Sequence, residues 1–179
     1  IAKMSTLNTV FKQYEQEAYA SYERISWITL DKNTDGTFKP QGVNDALDAY
    51  RHAYVSAVMT RDYNKIVAHV AGTAHEVRGE LFGGQPAGER NMDLWNNSKG
   101  RDIGSAEPSR TAIAQKVYDA LQNGELITEP ITDTRKSSEL YAEYRGVNTL
   151  LSAINNLYLQ FKSWTPPRTD PLVLDLDND

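Results

Sequence analysis

The chain has 179 residues, 40% of them hydrophobic and 24% charged, with a net charge of −5, a pI near 5.2 and no cysteine. Such a composition sustains one globular domain with a sizeable core, speaks against disorder, and excludes disulfides and thiolate metal sites. The acidity and the lack of a basic run speak against general nucleic-acid binding, and no stretch approaches the roughly 20 apolar residues of a membrane span. The start, Ile1-Ala2-Lys3-Met4, is neither a signal peptide nor a natural initiator, so the chain reads as a piece of something longer.

From Ser5 to about Trp27, Leu7, Val10, Phe11, Tyr14, Ala18, Tyr19, Tyr22 and Ile25 recur at helical spacing and predict one amphipathic helix. It ends in Asp31-Lys-Asn-Thr-Asp-Gly-Thr-Phe. There Asp31, Asn33 and Asp35 reproduce the first half of a calcium loop, with Gly36 at the turn and Phe38 in the apolar place after it. Gly42 stands where a closing glutamate belongs, so calcium needs Asp45 or a distant ligand; the alternative is a polar turn.

A central helix follows, with Asn44 as its expected cap and its end near Thr60. Its alanines and tyrosines cover more than one face, so it should be largely buried. Asp45, Asp48 and His52 nevertheless form one stripe on it, at i, i+3 and i+7, with Arg51 alongside. A third helix runs from Asp62 or Asn64 to Leu81 and carries His69, His75 and Glu76. A short connection makes these two helices antiparallel neighbours, and Gly72 would let them approach closely.

Residues 81–89, Leu-Phe-Gly-Gly-Gln-Pro-Ala-Gly-Glu, read as a loop, long enough to be a lid. The next stretch, Asn91 to Gly104, reads as a short helix interrupted at Gly100. It displays Asp93, Asn96, Asn97 and Arg101, side chains suited to recognition rather than to a core. Pro108-Ser109 opens a helix that stops at Asn123-Gly124, and Glu125 to Lys136 is a loop or short extended arm. Ser137 or Ser138 caps a last long helix reaching Trp164 and ended by Pro166-Pro167. The pattern predicts an all-α, single compact domain of five or six helices over residues 1–165. Residues 166–179 follow as a linker and extended tail, in which Asp175, Asp177 and Asp179 alternate like the opening of a second calcium loop.

If the central and third helices pair and the Asp93–Arg101 segment folds over them, Asp48, His52, His75, Glu76, Asp93, Asn97 and Arg101 converge beside a glycine-rich loop. Two chemistries fit. In the preferred one His52 is a general base oriented by Asp48, with Asn97 and Arg101 stabilising developing negative charge. In the other, His52, His75 and a carboxylate of Glu76 or Asp93 hold a divalent metal that activates water. The bland reading is a core histidine paired to Asp48 one turn away, with Arg51 neutralising the aspartates. Nucleophile elbows, Walker loops and dinucleotide fingerprints are absent.

The tail, Thr169-Asp-Pro-Leu-Val-Leu-Asp-Leu-Asp-Asn-Asp, resembles the start of the calcium-triggered self-processing module of large secreted RTX-type bacterial proteins. That resemblance implies a secreted, extracellular parent and marks Asp170-Pro171 as the family's scissile bond; Asn178 stands where the family usually has glycine. Further upstream, Asp48-Ala-Tyr-Arg-His-Ala-Tyr, Ala74-His-Glu and Met92-Asp-Leu-Trp-Asn-Asn-x-x-Gly-Arg resemble an uncharacterised family of bacterial domains found in secreted and toxin-like proteins. Some members carry histidine where this chain has Trp95. The second resemblance implies a site at these residues without naming its reaction; joined to the polar cluster and the secreted parent, it leads to the expectation of an effector or toxin-like hydrolase acting on phospholipid, peptidoglycan or nucleic acid, the last disfavoured by the acidity, with an immunity or host protein as partner. The competing expectation is a noncatalytic, calcium-stabilised adhesion or spacer module.

Overall fold

Residues 2–73 and 86–139 are described in the computed structural model, and helices account for most of them. The elements are α1 (Ala2–Ser26), α2 (Ala46–Asp62), α3 (65–73), α4 (Ala87–Ala106) and α5 (Arg110–Gln122), followed by an irregular arm from Asn123 to Ser138. The domain is all-α and compact, as the spacing predicts. Among the described residues the only β-type pairing is the isolated bridge Lys32–Phe38, and no helix is long and apolar enough to cross a membrane. The later part of the predicted third helix, the predicted last helix beyond Glu139 and the 165/166 boundary lie outside the described residues.

Helix α2 is the hub, packed most extensively on α4 and also on α1 and α5. Its start differs from the expectation: Asp45, not Asn44, is the N-cap, and its side chain accepts from the Asp48 amide at 2.9 Å. Asp48 reciprocates by accepting from the Asn44 amide at 2.7 Å, a variant of the capping box. Asn44 takes φ +54, a left-handed angle that asparagine tolerates, and so turns the chain into the helix. The inner faces of α1, α2 and α5 meet over tyrosines; Tyr50 lies 5.1 Å from Tyr22 and 5.9 Å from Tyr54, centroid to centroid. Its buried hydroxyl is satisfied by Ser21 Oγ at 2.9 Å, as a buried phenol requires. The three helices are also tied by Arg110, which reaches Glu17 at 2.9 Å and both carboxylate oxygens of Asp62.

Helix α4 begins at Ala87, inside the stretch expected to be a loop, and it runs without interruption through Gly100. The reason is packing. A Cβ on Gly100 would lie 2.1 Å from the Ala53 carbonyl oxygen, and one on Gly104 would lie 2.1 Å from that of Ala57. These glycines let α4 touch the α2 backbone at two successive turns, so they serve the contact rather than end the helix. The pairs 53/100 and 57/104 rise together, so α2 and α4 run parallel. Helix α3 supplies the return: Lys65 pairs with Asp102 while Gly72 faces Asn97, which makes it antiparallel to both. Close approach therefore falls at Gly100 and Gly104, not at Gly72, where an added Cβ would meet Asn97 at an ordinary 3.6 Å.

Candidate functional site

The polar stripe of α2 is Asp48, His52, Ser56 and Thr60, spaced four apart; all are buried but His52, which is partly exposed. On α4 the facing stripe is Asp93, Asn97, Gly100 and Gly104. Because the glycines hold the two backbones together, the polar residues one and two turns earlier meet across the interface. His52 Nε2 lies 3.4 Å from Asp93 Oδ1 and 3.6 Å from Asp48 Oδ1. Ser56 Oγ donates to Asn97 Oδ1 at 2.9 Å. The side chain of His52 is 15% exposed, against 8% for Asp48 and 7% for Asp93.

Beside this cluster is a cavity of about 200 Å³ between α1, α2, α3 and α4. His52, Ser56 and Asn97 form its polar wall, Lys12, Glu15 and Arg51 its charged rim, and Phe11, Val55, Met59 and Ala68 its apolar side. Arg51 donates to Asp48 Oδ1, to Glu15 at 3.1 Å and to the Tyr19 hydroxyl at 3.0 Å. Burial acts to lower the Arg51 pKa, but Asp48, Tyr19 and Glu15 outweigh it and hold the guanidinium above its ordinary value.

The expected residues divide into three groups. Asp48, His52, Asp93 and Asn97 do come together. His75 and Glu76 lie outside the described residues, as do Asp175, Asp177 and Asp179. Arg101 is 2% exposed and donates to Glu139, so its guanidinium holds the end of the arm. At 3.4 and 3.6 Å from the two carboxylates, His52 Nε2 stands between Asp93 and Asp48 rather than against Asp48 alone. Asp45, expected on the same stripe, is used in the cap. His69 is 44% exposed, with Nδ1 3.5 Å from Glu139 Oε2.

Of the two asparagines expected to serve recognition, Asn97 lines the cavity while Asn96 is buried against the arm, as is Asn91. Asn96 donates to the Ile127 carbonyl and accepts from the Ile127 amide, both at 2.9 Å, while Asn91 bonds Arg135 O and Ser137 N. Sequence reasoning missed Ser56, Lys12 and Glu15 as site residues; the four-residue spacing from Asp48 through His52 was the signal for Ser56.

The Asp31–Gly36 half-loop folds as a tight turn, with Gly36 at φ +85 and Asn33 N donating to Thr37 O at 2.7 Å. Asp35 accepts from the Thr37 hydroxyl at 2.6 Å and its amide at 3.0 Å, and those bonds hold its carboxyl below the usual range. Asn33 Nδ2 donates to the Thr37 hydroxyl, and Asp31 is bracketed through its backbone by Gln41. The side chains of Asn33 and Asp35 are thus engaged within the loop.

No solved structure matches the chain. A family model described as "Domain of unknown function (DUF6973)" matches residues 10–125, from within α1 to just past the end of α5 and including Asp48, His52, Asp93 and Asn97; the chain belongs to that family.

Proposed function

We propose that the chain is a hydrolytic effector domain of a large secreted RTX-type bacterial protein, and that it activates water at His52 between Asp48 and Asp93. The carrying observation is the meeting of one histidine and two buried carboxylates from two helices beside a cavity lined by Ser56 and Asn97. A substrate carbonyl or phosphoryl group would sit against Asn97, with Lys12 and Arg51 balancing negative charge. The apolar side of the cavity favours an acyl chain, and hence phospholipid over peptidoglycan; the net charge of −5 disfavours nucleic acid. The tail motif supports the secreted parent, and an immunity or host protein is the expected partner.

The test is hydrolysis of phospholipid vesicles and of peptidoglycan by wild type and His52→Ala, with growth inhibition on periplasmic and cytosolic expression alongside. The expected result is activity on one substrate and at least a 100-fold loss in the variant, with its helical circular dichroism kept. Equal activity in the two proteins, or none in either, overturns the reading. A second reading, a noncatalytic spacer, is favoured by Asn91, Asn96 and Arg101, whose buried polar groups are used to hold the arm. In it, calcium at Asp31, Asn33 and Asp35 would stiffen the loop, and calorimetric heat on adding millimolar calcium is its expected mark.

A further inference from the structure

We infer that Asp48, His52 and Asp93 form a binding site for one divalent transition-metal ion, with zinc the first choice. The inference deepens the hydrolytic reading by naming what activates the water, and rests on that reading only for the use of the ion. One ring nitrogen, His52 Nε2, sits 3.4 and 3.6 Å from oxygens of two different carboxylates, and the three ligand atoms all lie within 4.8 Å of one another. An imidazole N–H has one direction and makes one good bond of about 2.7–3.2 Å; both separations here are longer. They do match ligand–ligand edges around a common centre: bonds of about 2.0–2.2 Å in a tetrahedron give edges of about 3.3–3.6 Å.

The ligands are also held in place. Asp48 is fixed by the Asn44 amide on Oδ2 and by Arg51 on Oδ1, the outer contacts that orient a ligating carboxylate. Asp93 is positioned because Gly100 and Gly104 lock α4 to α2 two and three turns beyond it.

The donor set selects the ion. One imidazole and two carboxylates suit zinc, manganese or ferrous iron; calcium needs six to eight oxygens, and no thiolate is present for softer ions. Three protein ligands leave the fourth position for water, and His52 lines the adjoining cavity, the arrangement of a catalytic rather than a structural site.

The experiment is calorimetry of tag-free protein, dialysed against chelator, with zinc, manganese and magnesium as probes and no substrate. Expected is one zinc per chain, binding weakened at least 100-fold in both His52→Ala and the isosteric Asp93→Asn, and unchanged in His69→Ala. Zinc should also raise the wild-type melting temperature while equal magnesium does not, which tests the site even where a variant fails to fold. No zinc binding at millimolar concentration overturns the inference. So does binding that survives in His52→Ala and Asp93→Asn but is lost in His69→Ala. Zinc binding without hydrolysis of either substrate overturns the catalytic reading and leaves the site standing; hydrolysis by a protein that binds no zinc does the reverse.

Discussion

Asn96 and Asn97 are neighbours in sequence with opposite employments, and the reason is angular. Adjacent positions on a helix point about 100° apart, so when Asn97 faces Ser56 and the cavity, Asn96 must face elsewhere, and it meets the arm. There its carboxamide bonds both backbone groups of Ile127, which are buried and have no water to fall back on. Asn96→Ala should therefore cost about 2–4 kcal/mol, since it strands a buried donor and a buried acceptor together. Asn97→Ala takes the acceptor from the Ser56 hydroxyl, which can turn to the backbone of its own helix instead, and should cost less, about 1 kcal/mol. Urea denaturation of the two variants checks the order; equal losses would refute the account in which Asn96 alone satisfies two buried backbone groups. The sequence shows the pair of asparagines but not the division between them, because that depends on Ile127, 31 residues away. Asp48 and His52 were legible for a simpler reason: charge on an otherwise apolar helix stands out against its own periodicity, whereas Asp93 showed only as one of a run of polar side chains on α4. Asp45 was misread as part of that stripe because a capping aspartate and a stripe aspartate look the same until the first turn is placed.

Helices meet irregular segments repeatedly in this fold, and side-chain amides make the joints. Gln16 of α1 brackets Phe38 through both its N–H and C=O, at 2.7 and 3.0 Å, as Asn96 of α4 brackets Ile127. With only one isolated bridge among the described residues, these amides do the pairing that a neighbouring strand would do. Contact between α2 and α4 works differently, through absence of side chains. Gly100 and Gly104 each cost α4 about 1 kcal/mol of helix propensity, and in a sequence this reads as a break. Whether a glycine ends a helix or admits a partner depends on what lies opposite, here the Ala53 and Ala57 carbonyls. Gly100→Ala and Gly104→Ala must push the helices apart and should destabilise by about 3 kcal/mol or more, a large effect for one methyl group. Gly124→Ala is the control. It has φ +69 but open space around it, so only backbone strain of about 1 kcal/mol is expected. Melting temperatures rank the three, and a Gly124 variant as damaged as the other two would refute the close-packing account. The same separation would move Asp93 away from His52, so any zinc affinity should fall with the two α4 variants and persist in the third.

Across the whole molecule, the arm beyond α5 closes a circuit that no single element reveals. It leaves α5 at Asn123, runs over Trp95 and Asn96, folds back through Arg135, and leads into Glu139, which reaches both α3 and α4. Arg135 bonds the carbonyls of Gly124, Glu125 and Leu126 and pairs with Asp133, so the arm carries its own brace. At its end Glu139 meets Arg101 of α4 and His69 of α3, and α3 supplies Ala68 and Gly72 to the cavity wall. Arg101 and Glu139 lie 38 residues apart, and their pairing follows from the path of the arm rather than from any local pattern. Burial acts to raise the Glu139 carboxyl, but His69 and Arg101 outweigh it and hold the group below its ordinary value of 4.5. A carboxyl whose folded-state pKa is depressed adds stability that is fully present above the unfolded value and is lost as pH falls through the folded one. The domain should therefore lose this contribution progressively below about pH 4.5. Glu139→Gln isolates the effect, since every other carboxyl titrates alike in both proteins. Urea midpoints should show the variant less stable than wild type at pH 6, with the gap closing as the pH is lowered through 4.5 toward 3. A gap that stays constant across that range would mean that the glutamate holds α3 and α4 by shape alone. A closing gap would mean that its charge fixes the wall of the cavity from the far end of the chain's described fold.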